Sequence, residues 1–65
     1  MTILEVLKSI KLSYETAKDN GTKPKNVFSM NRDIISGMYI NGEIDENGER
    51  ILNNWNTNLL FVHNR

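Results

Sequence analysis

Apolar residues recur at helical spacing along three stretches of this chain, separated by two short polar turns. Ile3, Val6, Leu7, Ile10, Tyr14 and Ala17 follow one another mostly at steps of three and four, while Lys8, Lys11, Glu15 and Lys18 fall mostly off that line. Positions so spaced stack on one face of an α-helix, so the segment predicts a helix with one buried side. Val27, Met30 or Phe28, Ile34, Ile35 and Met38 repeat the pattern, and Ile51, Leu52, Trp55, Leu59 and Val62 form a third stripe thickened by "LLFV". No useful stretch alternates with the period of two that marks a half-buried strand. The expected fold class is all-α, a small bundle of three short helices over residues 2–19, 24–40 and 45–61, forming a single helical domain over 1–65.

The turns carry matching signals. Thr2 and Glu5 have the spacing of a capping box, in which hydroxyl and carboxylate each satisfy a free amide at a helix start. Asn20-Gly21 and Asn41-Gly42 read as helix stops, because glycine accepts the left-handed conformation that closes a helix. Pro24 suits the first turn of the next helix. Asp45 predicts the third N-cap, with Glu46 and Glu49 where the helix dipole favours negative charge. Fraying is expected near His63. Gly37, inside the second helix, marks either a close approach of a neighbour or a point of looseness.

Composition narrows the function classes. At 65 residues and 38% apolar content, one small core supplies on the order of 3–5 kcal/mol. With no cysteine there is neither a disulfide nor a thiolate metal site to staple it, so a partner, a second copy or tight helix packing would help most. Eight basic and eight acidic residues cancel, which removes the general attraction to phosphate and argues against nucleic acid as a partner. The first turns carry Glu5, with no basic leader and no long apolar run, so neither a signal peptide nor a membrane span is expected and the default location is cytoplasmic.

Candidate chemistry is sparse. "GEIDENGE" alternates Glu43, Asp45 and Asn47 like a calcium loop, but Asn54 falls where the bidentate Glu belongs, so a charged helix start is the better reading. His63 is the sole histidine and sits near the end of the chain, far from any orienting group evident in the sequence. No nucleophilic cysteine, histidine pair or glycine-rich phosphate loop is present, so the chain is read as a non-enzyme with no cofactor and no metal. Trp55, Phe61 and Tyr39 lack the basic cluster of a base-stacking surface and are read as core anchors. The remaining functional idea is a helix end presenting Thr16, Asp19 and Asn20 to a protein partner.

Two segments give that idea a direction. "TAKDNGTKP" resembles the inhibitory helix end of the small VbhA-type antitoxins that partner Fic-domain AMP-transferases, and "YINGEIDENGERIL" is similar to the aromatic, Gly-Glu-Ile and acidic helix start of the same family. Together they span residues 16–52, and their order agrees with the family's three short helices. The resemblance implies a toxin–antitoxin protein, an enzyme inhibitor whose first helix end obstructs the ATP site of a Fic-domain enzyme while the other two helices clasp it. In the family a Glu pairs with an Arg of the enzyme through charge-assisted hydrogen bonds. Here Thr16 matches the family's Ser/Thr position and Gly21 its Gly/Asn position, Asn20 stands in the place of the Glu and is neutral, and Asp19 is acidic but points elsewhere on the helix. The competing class is a self-assembling module, in which the apolar stripes meet in a homodimer.

Overall fold

The computed structural model describes residues 2–64. They form a compact bundle of three helices, α1 (Ile3–Asp19), α2 (Pro24–Ile40) and α3 (Glu46–His63), with no strand among the described residues. Thr2 stands outside α1 as its N-cap. Its hydroxyl accepts from the Glu5 amide at 3.2 Å, and its own amide donates back to Glu5 Oε1 at 3.4 Å. Asp45 caps α3 in the same sense, its Oδ1 accepting from the Gly48 amide at 2.7 Å. This cap is the charged helix start expected at Asp45.

Both stops are Schellman motifs. The Thr22 amide donates to the Ala17 carbonyl at 2.8 Å and that of Gly21 to Lys18 at 3.3 Å, while the Glu43 amide donates to Met38 at 2.9 Å and that of Gly42 to Tyr39 at 3.1 Å. Gly21 and Gly42 hold φ of 73° and 77°, the left-handed region where a side chain would be strained. With both turns so tight, α2 runs antiparallel to its neighbours and α1 lies parallel to α3. Three contacts fix that parallel pairing. Ile3 meets Gly48, the Trp55 indole donates to the Leu7 carbonyl at 3.1 Å, and Tyr14 stacks on His63 with ring centroids 5.5 Å apart. The last contact lies at the end of α3, which runs to His63 rather than to the expected 61.

The core takes Val6, Ile10, Tyr14 and Ala17 from α1, Val27, Ile35 and Met38 from α2, Leu52 and Leu59 from α3, and Ile44 from the second turn. Several expected core positions lie outside it. Met30, Ile34, Ile51 and Val62 are exposed, and so are Tyr39 and Phe61, which therefore anchor nothing; Trp55 alone of the three aromatics packs against the core. The reason is that the true centres of the second and third stripes are Asn31 and Asn56, one turn after Val27 and Leu52. The flanking apolar side chains are thereby rotated toward solvent.

The two helical glycines divide clearly. A methyl group at Gly48 would come within 3.1 Å of Ile3 Cδ1 and 3.3 Å of Ile44 Cβ, so this glycine lets α1 and the second turn approach α3. At Gly37 a methyl would meet nothing within 4 Å, which removes close approach as its reason within this chain.

Candidate functional site

One polar side chain from each helix meets at the bundle axis. Asn56 is fully buried and Asn31 nearly so, and Tyr14 is 1% exposed. Asn56 Nδ2 donates to the Phe28 carbonyl at 3.1 Å, and because a carbonyl only accepts, this bond fixes the orientation of the amide. Asn56 Oδ1 is then the acceptor for the Tyr14 hydroxyl at 2.6 Å and for Asn31 Nδ2 at 3.3 Å. The same Asn31 nitrogen reaches Ser13 Oγ at 3.2 Å, and that hydroxyl in turn donates to the Ile10 carbonyl at 2.7 Å. Burial raises the Tyr14 hydroxyl from 10.0 to about 12, so it stays a protonated donor under ordinary conditions. The network joins α1, α2 and α3 at one level and holds the α1–α2 pair, the least closely packed of the three, in register.

Two hollows open along that α1–α2 seam. The one toward the C-terminal end of α1 has a volume near 410 Å³ and is lined by Thr16, Asn20 and Thr22 over Leu12, Val27 and Met30. Thr16 and Asn20, one helical turn apart, share its wall, and the Asn20 amide closes the helix on the Thr16 carbonyl at 3.0 Å. Asp19 and Gly21 lie outside it. Asp19 is exposed on the next face of the helix, and Gly21 makes the left-handed turn that ends it. Of the four residues expected to form the inhibitory end, the hollow thus gathers two, neither of them charged. Its chemistry is that of a neutral hydroxyl and amide rim above an apolar floor.

The second hollow, near 250 Å³, lies toward the other end of the seam, where Val6, Ile34, Ile35 and Met38 make apolar walls and Asn31 and Glu43 supply polar groups. The sequence reading passed over Asn31 and Asn56. The signal that could have found them is a lone Asn in the middle of each stripe, Val27–Asn31–Ile35 and Leu52–Asn56–Leu59. A third depression is lined by the polar and charged residues Asp45, Glu46, Asn47, Glu49 and Arg50 at the α3 start. Among the described residues no group of three or more His, Cys, Asp and Glu is arranged to hold a metal ion. No described helix is long and apolar enough to cross a membrane. Compared with family models, curated proteins and solved structures, the chain finds no match in any of the three.

Proposed function

We propose that this chain is a non-catalytic protein-binding inhibitor working in the cytoplasm, most specifically an antitoxin that clasps a Fic-type AMP-transferase and obstructs its ATP site with the end of α1. One observation carries the reading: Thr16 and Asn20 stand exposed on one face of a Schellman-capped helix end, beside a hollow with an apolar floor. A helix end so capped presents its side chains with little conformational freedom left to lose on binding. Asn20 contributes hydrogen bonds rather than an ion pair, so obstruction by this chain depends on shape and neutral polar contacts. Asn20→Glu restores the charge and tightens inhibition, by about tenfold or more for a charge-assisted bond. The test is affinity capture from the native host followed by an AMP-transfer assay on the captured enzyme. Failure to retain or inhibit a Fic-domain protein removes the antitoxin class, and an unchanged inhibition constant in Asn20→Glu removes Asn20 from the mechanism.

A homodimeric module is the second reading, favoured by the exposure of Leu12, Met30 and Ile34 along the α1–α2 seam. Light scattering separates the two. A dimer that persists on dilution with full helicity supports self-assembly, and a monomer supports a foreign partner.

A further inference from the structure

The donor and acceptor assignments in the core leave one group over. Asn31 Nδ2 must face Ser13 Oγ and Asn56 Oδ1, so Asn31 Oδ1 points the other way, and among the described residues it accepts no hydrogen bond. Asn31 is only 4% exposed, yet among the described residues no fully enclosed side-chain polar atom lacks a partner, so this oxygen keeps some access to solvent, and Asn31 lines the second hollow. The lining of this hollow also includes Ser9 and one charged residue, Glu43, and its apolar walls are Val6, Ile10, Ile34, Ile35 and Met38. It therefore combines an amide, a hydroxyl and one anionic residue with apolar walls.

We infer that this hollow receives an arginine side chain of the partner protein. The aliphatic stem of an arginine packs against apolar walls while its guanidinium brings several donors to a carboxylate, with others left for the neutral oxygens of the lining. A volume near 250 Å³ suits one long side chain and is small for a drug-sized molecule. Lysine would satisfy Glu43 but brings a compact point charge in place of a planar fork. The inference rests on the protein-binding reading and adds to it an anchor at the end of the seam remote from Thr16 and Asn20.

The test is a titration of the full chain, followed by amide NMR shifts, with a capped helical peptide carrying one arginine flanked by leucines, and with the same peptide carrying citrulline, which is neutral and of the same shape. The arginine peptide is expected to shift Val6, Asn31, Ile34, Met38 and Glu43, and the citrulline peptide to bind about tenfold more weakly. Glu43→Gln, a change on an exposed side chain, should erase that difference, and Ile34→Ser should weaken both peptides. Equal binding of the two peptides to the native chain overturns the inference, as do shifts confined to another surface or indifference to Glu43→Gln. Because the titration needs no toxin, it can fail while capture of a Fic-domain enzyme succeeds, and the reverse, so the two claims fall separately.

Discussion

The Tyr14 hydroxyl lies 2.6 Å from Asn56 Oδ1, joining the parallel helices α1 and α3 through a hydrogen bond that is wholly removed from solvent. In a core this small, such a bond matters less for its net contribution than for the cost of leaving either partner alone. A satisfied buried hydrogen bond adds about 1 kcal/mol, whereas an orphaned buried donor costs roughly 1–3 kcal/mol.

Asn56→Ala removes three buried hydrogen bonds at once, although the Tyr14 hydroxyl keeps the Asn56 main-chain carbonyl at 3.0 Å and Asn31 Nδ2 keeps Ser13 Oγ at 3.2 Å. The expected loss is about 3 kcal/mol, most of the stability available to a domain of this length. Tyr14→Phe should cost about 1–1.5 kcal/mol, since Asn56 Oδ1 keeps its bond from Asn31. Urea unfolding followed by helical circular dichroism compares them. Equal losses would show that the bonds of Asn56 to Asn31 and to the Phe28 carbonyl add nothing to stability.

Alkaline titration should expose the same buried hydroxyl. Tyr14 is raised from 10.0 to about 12, so between these values the folded chain holds a proton that the unfolded chain releases. The associated stability is complete below pH 10 and is lost as pH rises toward 12, in total roughly 3 kcal/mol. Unfolding midpoints in urea should fall over this interval, and in Tyr14→Phe this component of the fall should vanish. A native-like slope in the variant would assign the effect to other groups.

The two helical glycines should respond differently. Gly37→Ala adds a methyl to open space and gains about 1 kcal/mol of helix propensity. Gly48→Ala gains the same propensity but forces Ile3 and Ile44 to give way at 3.1 and 3.3 Å. Overpacking of this kind costs roughly 1–3 kcal/mol, which cancels that gain or exceeds it by up to about 2 kcal/mol. Thermal melts should rise by about 4–8 °C for Gly37→Ala and stay level or fall for Gly48→Ala. A fall for Gly37→Ala would mean that its open flank is covered, as in a dimer.

The helix starts differ in how well they are capped, and stability should follow. Lys23 gives α2 no side-chain cap, so Lys23→Ser should add about 0.5–1 kcal/mol, while Asp45→Ala should remove about 1 kcal/mol from α3. Chemical unfolding reads both. No gain from Lys23→Ser would show that the Asn26 amide, which donates to the Lys23 carbonyl at 3.0 Å, needs no side-chain cap.

The sequence by itself determined the number, order and near-exact limits of the helices, because caps and stops are local: Thr2 with Glu5, Asn20-Gly21, Pro24, Asn41-Gly42 and Asp45 each act on amides and carbonyls within one turn. It also fixed the face that α1 buries, where Val6, Ile10, Tyr14 and Ala17 form an unbroken stripe. Only the tertiary structure decided which faces α2 and α3 bury. Asn31 and Asn56 become core residues once Tyr14, Ser13 and the Phe28 carbonyl arrive from other helices to satisfy them, and a polar side chain in a single sequence carries no label naming such distant partners. That choice turned Met30, Ile34, Ile51 and Val62 outward. The α1 end was legible as a capped turn holding Thr16, Asp19, Asn20 and Gly21, but the separation of Asp19 from Thr16 and Asn20 at the hollow, and the second hollow beside Glu43, come from the side-by-side packing of α1 and α2. Hydrogen bonds within one helical turn are written in the chain, whereas a cleft belongs to two segments at once and exists only after they meet.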